Sequence, residues 1–170
     1  ETLTIQLKIF EKSLEQTQIQ LRQEFITLVN YSMNQLWQTL YPYQDFTGIR
    51  LNVEEGDYIL QLQSRNDWTN VEGIASGGER SIAALTLRIA FSLVLAPQLR
   101  MLVLDEPTAN LDENGISKLS ETLRERTGEF LDQIFLITHE PRLEEAITGA
   151  GYRLERDKSS DGYTQIIQLN

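Results

Sequence analysis

The stretch that decides the fold runs from Ser76 to Asp112, "SGGERSIAALTLRIAFSLVLAPQLRMLVLDEPTANLD". Its first half reads as a helix from Gly77 to Ala96, stopped by Pro97. Ile82, Leu85, Leu87, Ile89, Phe91, Leu93, Val94 and Leu95 cover nearly every direction, the pattern of a helix buried on most sides. Arg88 falls inside that apolar run, where a guanidinium is costly without a partner. "MLVL" follows as a short, continuously apolar strand, and it delivers two adjacent carboxylates, Asp105 and Glu106, with Pro107 fixing the turn behind them. A strand that served only the core would not need that ending. At the start of the stretch, Ser76 reads as a helix N-cap with Glu79 as its capping-box partner. The same Ser76, Gly77 and Gly78 would also leave free N–H groups at the positive end of the helix, a ready phosphate site.

Working outward, the chain upstream opens with a long helix, Glu1 to Leu40, free of Pro and Gly. Leu3, Leu7, Phe10, Leu14, Thr17 and Leu21 alternate steps of four and three, a heptad seam. The apolar stripe then shifts to Phe25, Leu28, Leu36, Trp37 and Leu40, as if the helix passes from a two-stranded contact onto a domain surface. We therefore divide the chain into a coiled-coil stump, 1–40, and a lobe, 41–170, with a long amphipathic helix packed on its own domain as the plainer alternative. "IRLNV" and "YILQLQ" alternate with period two around Gly56 and predict a β-hairpin, followed by a polar loop from Ser64 to about Ala75. Downstream, an amphipathic helix from Glu113 to about Thr127 and a second apolar strand, "IFLIT", repeat the helix–strand alternation of a parallel sheet whose strands are buried on both faces. A helix from Pro141 to about Thr148 and a hairpin of "YRLER" and "YTQIIQL" through "SSDG" complete the reading.

Composition narrows the function. With 170 residues the chain has room for one sizeable core, and it contains no cysteine, which removes disulfides, thiolate metal sites and cysteine nucleophiles together. A single histidine, His139, excludes a multi-histidine metal centre. The net charge of -10 argues against nucleic-acid binding by bulk electrostatics, so any DNA contact must be local or shared with another chain. No apolar run approaches a membrane span and no signal peptide opens the sequence, from which we expect an intracellular protein.

The polar residues gather at element ends, where an open parallel sheet presents its ligands. Asp105 at a strand tip suits Mg2+ held through its water shell, and Glu106 could orient or deprotonate a water attacking a phosphate; two exposed surface carboxylates are the alternative. Asp112 sits where it can cap the helix beginning at Glu113, which is itself a sufficient structural role. His139 ends the second apolar strand, either as a structural residue or beside the tip that bears Asp105.

Taken together, "SGGER", "MLVLDEP", "NLD" and "ITH" resemble, in order, the signature loop, Walker B strand, D-loop and switch histidine of ABC-type ATPases. The 29 positions from Ser76 to Asp105, "SGGER" in place of "SGGQ", and the heptad seam are similar to the SMC-like branch, and "DEPTANLD" is closest to its Rad-fifty DNA double-strand-break repair ATPases. Ala75 departs from the usual leucine before the signature serine. The resemblance implies the C-terminal lobe of an ABC-type ATPase head, an α/β fold with a mostly parallel sheet, flanking helices and β-hairpins. It also implies catalytic roles for Glu106 and His139, Mg2+ at Asp105, and ATP contacts by Ser76, Gly77, Gly78, Glu79 and Asp112. Arg80 and Arg88 would couple nucleotide state to lobe rotation. No P-loop of the form G-x-x-x-x-G-K-[ST] occurs anywhere in the chain, so an N-terminal half of the same protein would have to provide it. A second head, a Mre-eleven-type nuclease at the coiled-coil base, and DNA are the further partners implied. The alternatives are the head of another SMC-like ATPase, of SMC or RecN type, and a non-enzymatic dimerisation module.

Overall fold

The computed structural model describes residues 2–125, 128, 131–157, 159 and 162–169. Helix α1, Thr2–Leu40, is continuous over 39 residues. Two apolar stripes run along it. Leu3, Leu7, Phe10, Leu14 and Leu21 are exposed, and the same heptad phase continues through Leu28 and Tyr31, also exposed. Leu28 thus belongs to the seam and not, as its spacing first suggested, to the domain surface. The inner stripe is Val29, Met33, Leu36, Trp37 and Leu40, all buried against the lobe. Fully burying side chains of this size contributes about 1.5–3 kcal/mol each, enough to anchor the C-terminal end of α1 while its N-terminal turns stand free.

Strands β1, Gly48–Glu54, and β2, Asp57–Ser64, pair antiparallel through a turn in which Glu55 and Gly56 both take positive φ. The expected loop after Ser64 is more ordered than its polarity suggested. β3, Asp67–Asn70, adds to β2, and one helical turn, α2, Val71–Ile74, follows. The outer edge of β1 is covered by α1 through three amides spaced by one helical turn. Asn30 donates to the Leu51 carbonyl at 3.0 Å and accepts from its N–H at 2.6 Å. Asn34 does the same for Ile49, at 2.8 and 3.4 Å, and Gln38 donates to the Thr47 carbonyl at 2.9 Å. The side chains of one helix thereby satisfy a strand edge that would otherwise face another strand.

Helix α3, Gly77–Leu95, carries Ile82, Ala83, Leu85, Thr86, Ile89 and Ala90 into the core. Arg88 is exposed, so the anticipated cost of a guanidinium within the helix does not arise. β4, Met101–Asp105, and β5, Gln133–Ile137, form a parallel pair joined by α4, Glu113–Glu125. Burial on both faces was expected for these strands, but only one face is packed. Leu102 and Leu104 join the core built by α1 and α3, whereas Val103, Phe135 and Ile137 are exposed. The helices of this chain pack against the face bearing Leu102 and Leu104. A 3-10 helix, Pro141–Ala146, replaces the α-helix expected there, and β6, Tyr152–Glu155, pairs antiparallel with β7, Gln165–Gln168. The end of the helix expected at Thr127 and part of the "SSDG" connection lie outside the described residues. Among the described residues no helix is long and apolar enough to cross a membrane.

Candidate functional site

Parallel pairing sets Asp105 opposite Ile137, so the tips of β4 and β5 end side by side. The Glu106 N–H donates to the Ile137 carbonyl at 2.8 Å, which holds the first residue beyond β4 against the end of β5. Glu106 has φ of 46°, a left-handed conformation that costs a residue bearing a Cβ roughly 1–2 kcal/mol. The bend turns its carboxylate toward His139, whose Nδ1 lies 2.8 Å from Glu106 Oε2. That contact raises the His139 pKa above its ordinary value, chiefly through the hydrogen bond to Glu106. The imidazole is otherwise almost fully exposed, so Nε2 points away from the pair and is open to another group. Asp105 beside it is exposed.

From Glu106 the chain turns sharply. Ala109 N–H donates to the Glu106 carbonyl and Leu111 N–H to that of the buried Thr108, and Asn110 takes a φ of 63°. This turn is what "SGGE" sits against. A Cβ on Gly78 would lie 3.1 Å from the Asn110 carbonyl oxygen, and one on Gly77 3.5 Å from the Asn110 Cβ. Glycine at 78 therefore permits the first turn of α3 to approach the 107–112 turn. The capping box is formed: Ser76 Oγ accepts from the Glu79 N–H at 3.3 Å, and Glu79 Oε2 accepts from the Ser76 N–H at 2.6 Å. Arg80 makes a long contact to the Ser76 carbonyl, 3.5 Å.

Asp112 caps α4, its Oδ1 accepting from Gly115 N–H at 2.9 Å. Its other oxygen accepts from the Tyr43 hydroxyl, a partner the sequence did not disclose. Those two bonds hold the Asp112 carboxyl below the usual range, the Tyr43 hydroxyl having the larger effect. Arg142 was missed as well. It ties the start of α4 to the segment after β5, pairing with Glu113 at 3.2 Å and with Glu140 at 2.8 Å. The residues expected to form the site are thus linked in series: Glu106 and His139 pair at the strand tips beside Asp105, and the turn that follows brings Asn110 against Gly77 and Gly78. Arg88, further along α3, stands apart from it.

Three comparisons bear on this geometry. Residues 47–125 match the family described as SbcC/RAD50-like, Walker B motif. Over that segment the chain is similar to the SbcC/RAD50-like family. It is 28% identical over 162 residues to DNA repair protein rad-50 of Caenorhabditis elegans, covering 82% of this chain and 12% of that protein. It is 41% identical over 86 residues to the DNA double-strand break repair Rad50 ATPase of Sulfolobus acidocaldarius, covering 51% of this chain and 9% of that one. The chain spans about a tenth of the length of these curated relatives. Among solved structures, the SMC head domain with a coiled coil and joint from Pyrococcus yayanosii superposes with a TM-score of 0.72 at 19% identity, over 95% of this chain and 30% of the other. The SMC head domain from Thermotoga maritima gives 0.59 at 22% identity, over 84% and 48%. The fold of this chain is accordingly that of an SMC-type head lobe.

Proposed function

We propose that this chain is the C-terminal lobe of an SbcC/RAD50-like, ATP-hydrolysing head in DNA double-strand-break repair, completed by an N-terminal half that carries the P-loop. The observation that carries the reading is the Glu106–His139 pair at adjacent strand tips, linked through the 107–112 turn to the first turn of α3, in a chain without a P-loop. In this reading Glu106 accepts a proton from the water that attacks the γ-phosphate, and His139, oriented through Nδ1, presents Nε2 to the phosphate oxygens. Ser76, Gly77 and Gly78 would contact ATP held by a second head, with Glu79 keeping their turn in shape and Asp112 keeping the 107–112 turn against it. ATP then acts as the bond between heads, and its hydrolysis releases them.

The donor set suits Mg2+. Among the described residues no group of three His, Asp or Glu side chains converges on a metal, so Asp105 at the tip of β4 would hold the ion together with groups supplied by water, phosphate and the P-loop half. Bound there, Mg2+ would neutralise charge developing on the phosphate oxygens. The exposed N-terminal turns of α1 would pair with the helix of the other half, leaving the base of the arm for a Mre-eleven-type nuclease. DNA would bind through the assembled complex, in keeping with the acidic charge of this lobe. Arg80, at the mouth of α3, would couple nucleotide state to lobe rotation, with the exposed Arg88 facing the partner lobe.

The deciding experiment mixes this chain with the P-loop-bearing half. The chain alone should show no ATPase activity, and Mg2+-dependent hydrolysis should appear on mixing. Glu106→Gln in the assembled head should lower turnover by on the order of 10² and accumulate ATP-bound dimers. Robust turnover by the chain alone would overturn the half-domain reading.

A further inference from the structure

The last buried turn of α1 continues into a short ladder of rings. Trp37 stacks on Tyr41 with centroids 4.3 Å apart, and Tyr41 meets Tyr43 edge to face at 5.4 Å. Each rung is tied down separately: Trp37 Nε1 donates to the Phe46 carbonyl at 3.0 Å, and the Tyr41 hydroxyl to Asp45 Oδ1 at 2.6 Å. Pro42, with its fixed φ, separates the two tyrosines. The ladder ends on the Tyr43 hydroxyl, which donates to Asp112. Both oxygens of Asp112 are then engaged, one capping α4 and the other held by Tyr43. Because Asp112 closes the turn that begins at Glu106 and lies against Gly78, the base of the arm and that turn share one rigid connection.

We propose that Tyr43 is a positioning residue that ties the 107–112 turn to the base of α1, so that the orientation of the arm sets the geometry of the turn meeting the second head. The proposal rests on the two-head reading above. Tyr43 is partly exposed and not in the core, so deleting its hydroxyl opens no cavity and leaves the α4 cap in place. Burial and Asp45 push the Tyr41 hydroxyl far above its ordinary pKa, and Asp112 raises that of Tyr43. Both therefore remain donors throughout the working pH range.

The test uses the assembled protein, with the P-loop half present. Tyr43→Phe keeps the ring and removes only the hydroxyl. Its kcat should fall about tenfold, the scale of one hydrogen bond to a charged group, while KM for ATP is retained. In an Asp112→Ala background the same substitution should cause no further loss, because its target is gone. Unchanged kcat in Tyr43→Phe, or an equal fall in both backgrounds, would overturn the proposal. Rates are compared at a temperature where circular dichroism shows all variants fully folded. Glu106→Gln run in parallel separates the two levels of failure. If it fails to trap ATP-bound dimers, the two-head reading itself is wrong. If it traps them while Tyr43→Phe behaves as wild type, only the role of Tyr43 falls.

Discussion

His139 offers a direct probe of the strand tips, because it is the single histidine in the sequence. Its pKa is raised by Glu106, so the ion pair is complete below the ordinary imidazole value of about 6.5 and is lost as pH rises through the higher folded value. An NMR titration of the isolated chain should give one imidazole resonance with a pKa above 6.5, and Glu106→Gln should bring it back toward that value. An unshifted value in the wild type would mean the pair does not form. The contributions at this scale were unequally legible. Ser76 and Glu79 announce their capping box by spacing alone. Tyr43 could not be found that way, since 69 positions separate it from Asp112 and nothing in "YPYQDF" marks one ring as a donor. Arg88 misled because its neighbours in sequence are apolar while its own direction on α3 is open.

For the elements, periodicity told most of the story where a single stripe was present and least where two overlapped. On α1 the heptad seam and the core stripe lie about 100° apart, so a residue such as Leu28 fits either until packing decides. β3 was passed over because "DWTN" is four residues long with a polar residue at each end, too short for alternation to register. Asn30, Asn34 and Gln38, polar residues that the apolar periodicity does not register, serve as hydrogen-bonding partners to β1. That assignment has a measurable consequence. Asn34→Leu would leave the N–H and carbonyl of Ile49, a fully buried residue, without their partner. The expected loss is about 2–3 kcal/mol, read as a lower urea midpoint. A loss below about 0.5 kcal/mol, the range of an ordinary surface substitution, would show that the amides are incidental.

At the scale of the whole molecule, the accessible surface is 11915 Å², whereas a compact monomer of this mass exposes about 8,500 Å². Part of the excess is the free length of α1, and part is apolar surface on β4, β5, β6 and β7, including Val103, Ile137, Leu154 and Ile166. Exposed patches of this kind mark surfaces that another chain covers. The isolated lobe should therefore bind an apolar dye such as ANS, and addition of the P-loop half should abolish the signal and raise the melting temperature. Dye binding that persists in the active complex would mean that these faces are not the ones covered. Sequence alone gave both β4 and β5 as buried on two sides. That expectation fails because a continuous apolar run does not say which of its alternate faces is packed, and among the described residues none covers the face of Val103 and Ile137.

The amide ladder between α1 and β1 also acts as a vernier. Four residues of helix advance about 6.0 Å, whereas two residues of strand advance about 6.8 Å, so two scales of slightly different pitch are laid side by side. The mismatch is visible along the ladder. Asn30 makes two short bonds, Asn34 one short and one stretched, and the third rung uses the longer Gln38 for a single bond. Ile26 and Pro42, the next positions in each direction, carry no amide and end the scale. Two rulers of unequal pitch coincide at one setting only. A slide of α1 along β1 by part of a helical turn would put every rung out of step, so small motions imposed on the arm are resisted along its axis and reach the lobe as tilt or rotation.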